Sequence, residues 1–207
     1  MKQYALITGS YWVFTLTDGA LRMLVVLYFH ELGYSPLDIA FLFLFYEVFG
    51  IITNLFGGWL AARMGLSATI ISGLFLQTFA LGMLLVDSSY LTVAYVMAAQ
   101  ALSGVAKDLN KLGAKSSVKL VAGDNQTKLY RWVAWLTGSK NALKGVGFFA
   151  GGAGLATIGF TASVITMVLC VGVVGVVALL LLDTNLGKAS FKPKFSELFS
   201  KSRQINL

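Results

Sequence analysis

The sequence predicts an all-α protein, a polytopic membrane helical bundle of six transmembrane helices built as a 3+3 repeat. Three observations predict it. Of the 207 residues, 57% are hydrophobic and 12% are charged, where a soluble domain carries about 25% charged residues. Six stretches are long enough to cross about 30 Å of hydrocarbon at about 1.5 Å per residue. The basic residues fall in alternate connecting segments.

Taken in chain order, the first span is Tyr11–Phe29. Asp18 and Arg22 interrupt it and no small-residue cleavage site follows, so it does not read as a removable signal peptide. "GYSP", Gly33 to Pro36, is a tight turn into the second span, Ile39–Ala62, which carries Glu47. The third, Ala68–Val86, has no charge. "DSSY", Asp87 to Tyr90, leads into the fourth, Tyr90–Gly113, with Lys107, Asp108 and Lys111 in its inner half. The fifth, Trp132–Ile158, holds Lys140, Asn141 and Lys144, then the glycine-rich "GVGFFAGGAG". The sixth is Phe160–Leu182 and is uncharged. Only "IGF", Ile158 to Phe160, separates these two. One long bent segment is the alternative there, and its length argues for two spans. Residues 1–183 thus form the six-helix unit, and residues 184–207 form a basic segment.

Orientation follows from the loops. With the amino terminus inside, the inner segments hold Lys2, Arg63, Lys115, Lys119, Lys128, Arg131 and the lysines and arginine of the tail. The outer turns hold only Glu31, Asp38 and Asp87. Both termini are therefore expected in the cytoplasm of a cell whose inner membrane the protein crosses. This distribution accounts for the net charge of +7 without nucleic acid. The tail "GKASFKPKFSELFSKSRQINL" reads as a surface segment on anionic headgroups.

The charges inside spans carry the functional information. An ionisable side chain in a membrane faces a bundle interior or a watery cavity. Helices one, two, four and five are expected to enclose something polar, and the bare third and sixth to face lipid. Charged, charged, bare, repeated once, is a period of three helices, as in secondary transporters. Asp18 and Arg22 are four apart and are able to pair. Lys107 and Asp108 are adjacent, about 100° apart around the helix, and are not expected to face each other. Lys140 and Lys144 share a face with no acid nearby in sequence. Two readings stand for them. They bind an anionic substrate, or they snorkel or pair with Glu47 or Asp108. Arg22 and Lys107 belong to the same candidate site, with Lys107 alternatively at an inner gate. Asp18, Glu47 and Asp108 are candidates for proton coupling or structural ion pairs.

Other chemistry is not indicated. The single cysteine, Cys170, allows no internal disulfide and reads as packing. No catalytic Ser/His/Asp cluster, metal-ligand spacing or phosphate loop is present. The reading is therefore a non-enzyme without metal or cofactor.

These features resemble the amino-terminal half of a major facilitator superfamily transporter. "GGWLAARMGLSAT" resembles that superfamily's loop after the second helix, through Gly58, Arg63 and Gly65. Ala62 stands where an acid is typical, and Leu66 and Ser67 where bases are typical. "GFFAGG", with Gly147, Gly151 and Gly152, resembles the fifth-helix antiporter motif, with Phe148 in place of its proline. "QALSGVAKDL" resembles the fourth-helix motif, with Gln100 for an arginine. More specifically, "YWVFTLTDGALRMLVVLYFHELGYSP", "FLFLFYEVFGIITNLFGGW", "LTGSKNALKGVGFF" and "KPKFSELFSKSR" look like the organoarsenical efflux permeases of arsenate-resistance operons. That resemblance implies export of 1-arseno-3-phosphoglycerate, made by a partner glyceraldehyde-3-phosphate dehydrogenase. It also implies a carboxy-terminal half beyond the six spans seen here. Exchange of other organophosphates or carboxylates, or a non-transporting half acting as an assembly partner, are the alternative expectations.

Overall fold

The computed structural model describes residues 2–122 and 126–183. Among them are five α-helices, one 3-10 turn and no strand. The helices are α1 (Lys2–Glu31), α2 (Pro36–Met64), α3 (Leu66–Met83), α4 (Val93–Ala122) and α5 (Gln126–Leu181). The basic tail expected at 184–207 lies outside the described residues.

The turns are made as the sequence requires. Ser35 caps α2 in a reciprocal box with Asp38, and Pro36 takes the first helical position. Such a cap is worth about 1 kcal/mol. Between α2 and α3 a single residue, Gly65, leaves the helical conformation (φ 90°, ψ 160°). That region of backbone space is open to glycine and strained for other residues. At the opposite end Asp87 accepts from the amide and hydroxyl of Ser89, which opens the 3-10 turn Ser88–Tyr90. The Ser89 amide, and then its hydroxyl, hold the Asp87 carboxyl below its ordinary value.

Six separate helices were expected and five are found. The difference is α5, which runs on for 56 residues and leaves helical geometry only at Gly159 (φ 81°, ψ 174°). Its two arms nevertheless run in opposite directions. Trp132 meets Tyr4 edge to face at 4.3 Å, near the start of α1. Phe160 stacks on Tyr28 at 4.0 Å, near its end. The chain then returns, so that Gln3 donates to the Leu181 carbonyl at 3.0 Å. The expected boundary at "IGF" is therefore a reversal made by one glycine.

Two further expectations change. The uncharged α3 was expected to face lipid, yet half of its most apolar window is buried, against 17% for α2. It packs on α4 and α5, and buries Gln77, Ser67 and Thr69. Absence of charge does not make a helix peripheral when uncharged polar groups need an interior. Conversely α2 exposes Leu37, Ile51 and Leu55 along an apolar flank. Cys170, expected to pack, is exposed on the return arm of α5.

Four helices, α1, α2, α3 and α5, are long and apolar enough to cross a membrane on composition alone. α4 is more polar because it is interior. It packs against α2 and α3, and buries Gln100, Ser103, Asn110 and Ser117. α4 also ends at Ala122 rather than near Gly113, and α5 begins at Gln126 rather than Trp132. Backbone hydrogen bonding continues past the point where hydropathy falls.

Candidate functional site

Two close helix crossings build the site. In the first, α1 meets α5 backbone to backbone. A Cβ on Gly19 would lie 2.6 Å from the Lys144 carbonyl oxygen, and one on Gly151 would lie 2.9 Å from Ala20 Cα. Gly147 sits against the Leu16 carbonyl and the Ala20 amide. Small residues are what permit such approach. Gly152 takes no part, its nearest neighbour being Leu27 Cδ1 at 3.6 Å. The crossing sets Lys140 and Lys144 beside Asp18 and Arg22. In the second, the Tyr46 backbone of α2 fills the space that a side chain at Gly104 of α4 would need. That contact sets Glu47 beside Lys107 and Asp108.

Between the crossings lies a pocket of about 210 Å³, lined by Asp18, Arg22, Glu47, Lys107, Lys140 and Lys144. Each comes from the interior of its helix. Tyr11, Phe14, Thr15 and Lys111 complete the wall. Five basic side chains therefore face two acids, with the buried Asp108 behind them.

The pairing differs from the sequence expectation. Arg22 does not pair with Asp18. Its Nη2 donates to Glu47 Oε1 at 2.6 Å, and Lys107 Nζ lies 3.4 Å from the other oxygen, Oε2. Asp18, 4% exposed, accepts instead from the Tyr46 hydroxyl at 2.5 Å. Lys107 and Asp108 do approach, at 3.8 Å, because the lysine stem is long enough to bend round the helix. Lys111 donates to Asp108 at 2.9 Å. Lys140 and Lys144 have no carboxylate within 4.0 Å among the described residues. Lys144 Nζ lies 5.8 Å from the Phe148 ring centre. Asn141 is exposed and does not line the pocket.

Tyr46 is the residue that sequence reasoning missed. It is fully buried. The Arg22 guanidinium and the Lys107 ammonium each lie 4.1 Å from its ring centre, in cation–π range. Its hydroxyl holds Asp18, so one side chain joins three of the four charged helices. The available signal was its place beside Glu47 in "FYEVFG", the one charge in the middle of an apolar helix.

The gate-loop residues lie elsewhere. Gly58 is exposed with open space where a side chain would go. Arg63 rests its guanidinium 5.4 Å from the Trp59 ring. It has no carboxylate within 4.0 Å among the described residues.

Membrane-length apolar helices thus surround a charged internal pocket. The sequence model of the Major Facilitator Superfamily matches residues 7–205, and the chain belongs to that superfamily. It is therefore a secondary transporter that acts on small molecules and sits in a bilayer. No curated protein matches the chain.

Proposed function

We propose that the protein is a secondary-active exporter of an anionic phosphorylated organoarsenical, 1-arseno-3-phosphoglycerate, and so confers arsenate resistance. In this reading it crosses the inner membrane six times with both termini cytoplasmic, Gly159 being the outer turn between the last two crossings. A glyceraldehyde-3-phosphate dehydrogenase supplies the substrate. The observation that carries the reading is the pair Lys140 and Lys144, inside the pocket and without a carboxylate partner. Cations held in a membrane interior are costly, and an anionic substrate offsets that cost. Arg22 adds a buried Nε with no hydrogen-bond acceptor. The segment resemblances above support the arsenical among possible anions.

The test replaces both lysines with Gln in the full-length permease, co-expressed with its dehydrogenase. A charge-assisted hydrogen bond is worth about 1.5–3 kcal/mol and a neutral one about 1. Losing the difference at both sites, about 1–4 kcal/mol in all, weakens binding about 5–1,000-fold. Gln inserts more cheaply than Lys, so membrane protein level holds while arsenate resistance falls. A well-expressed, fully resistant double variant makes the lysines structural and refutes the site. Normal substrate binding to the wild type by other phosphorylated or carboxylate anions, with no arsenical transport, would assign it to general anion exchange instead.

A further inference from the structure

We propose that Glu47 is an internal stand-in for the transported anion, and that the substrate binds by taking its place. The inference rests on the anion-site reading above and extends it to how part of the empty site's charge is balanced.

Two carboxylates line the pocket and a third, Asp108, lies behind it, and they are not equivalent. Asp18 and Asp108 are 4% and 2% exposed. Each is fixed by a partner on the protein, Tyr46 for Asp18 and Lys111 for Asp108. The Glu47 side chain is 54% exposed. Its two oxygens bridge cations from two other helices, Arg22 of α1 at 2.6 Å and Lys107 of α4 at 3.4 Å. A phosphate-type group makes the same two-point demand on an arginine and a neighbouring lysine. An open carboxylate on that pair is displaceable, whereas a buried one is not. The presence of two cation pairs also sets the substrate class. One anionic group takes the place of Glu47 on Arg22 and Lys107, and a second meets Lys140 and Lys144. The site therefore favours molecules with two separate anionic groups over those with one.

A consequence concerns the empty carrier. With Glu47 in place, one unit of the positive charge on Arg22 and Lys107 is balanced when no substrate is bound. Without it, the empty site must reorient with one more uncompensated charge inside the bilayer, which is costly. Loaded reorientation is spared, because the substrate supplies the charge.

The experiment uses the full-length protein in proteoliposomes, with 3-phosphoglycerate as a stable probe carrying two anionic groups. Half-exposed ion pairs are individually weak, so removing this competitor by Glu47→Gln should tighten probe binding about 2–30-fold. Net efflux into probe-free buffer should fall by an order of magnitude, while exchange with probe on both sides stays near wild type. Glu47→Asp, too short to bridge both cations, should lie between the two. Glu47→Gln binding that is equal to or weaker than wild type overturns the proposal. So does a parallel loss of efflux and exchange. The Lys140→Gln/Lys144→Gln variant separates the two readings. If it loses probe binding while Glu47→Gln behaves as wild type, the site stands and the stand-in falls. If neither variant changes binding, both fall.

Discussion

Removing one oxygen atom from Tyr46 should test how the buried charges are held. Tyr46→Phe keeps the ring on which Arg22 and Lys107 rest at 4.1 Å, and it opens no large cavity. What it removes is the hydrogen bond to Asp18, made at 2.5 Å in a site where the aspartate is 4% exposed. A buried carboxylate that loses its donor costs more than a neutral group does, and about 2–4 kcal/mol is the expected range. For a chain of this length that corresponds to a fall of about 4–16 °C in melting temperature. The assay is thermal unfolding of the purified protein in detergent, followed by circular dichroism. Asp18→Asn supplies the control, because an amide leaves no unpaired charge. The double variant Asp18→Asn/Tyr46→Phe should therefore melt above Tyr46→Phe alone, a non-additivity characteristic of directly coupled residues. A Tyr46→Phe protein melting within about 1 °C of wild type would refute the reasoning. Penalties that simply add would refute it as well.

At the α1–α5 crossing, Gly151→Val should destabilise the protein by about 1–3 kcal/mol or more, because the new side chain meets Ala20 backbone that has no room to move. Gly152→Ala, with its nearest neighbour at 3.6 Å, should be neutral or up to about 1 kcal/mol stabilising from helix propensity, and comparative thermal melts distinguish the two. Topology is checked with fused reporters. Activity of a periplasm-specific reporter is expected after Asp87 and after Ile158 but not after Arg131, and the reverse pattern would sink the six-crossing arrangement.

The gathering of charged residues round one pocket was largely legible in the sequence, for an energetic reason. Arg22, Glu47, Lys107, Lys140 and Lys144 fall inside apolar stretches, where each charge is too costly unless the helices carrying them converge. Convergence therefore followed from composition. Partner choice did not, because it depends on helix rotation, and rotation is set by contacts such as Gly19 against Lys144 and Gly104 against Tyr46. Asp18 and Arg22 satisfy the helical spacing for a pair, yet a phenol and a carboxylate from α2 take them both. Lys107 and Asp108 show the converse. Their backbone directions diverge, and the reach of a lysine overcomes that. The helix ends were blurred because hydropathy reports the bilayer, whereas hydrogen bonds report the helix. The burial of α3 was hidden because Gln77, Ser67 and Thr69 carry no charge and so raised no alarm.

The joints at Gly65 and Gly159 constrain how these helices are able to move. One residue of chain spans at most about 3.6 Å, while a one-turn slide of a helix along its neighbour needs about 5.4 Å. Neither α2 past α3, nor one arm of α5 past the other, has the slack for such a piston stroke. Four residues separate α1 from α2, and nine separate α3 from α4, so those connections are looser. The two single-glycine joints, one at each end of the bundle, act as pins. Relative motion across them is a pivot, with displacement smallest at the pin and growing with distance from it. Residues halfway along, Glu47 on α2 and Lys144 on α5, would then swing sideways through the pocket while the pinned ends stay together.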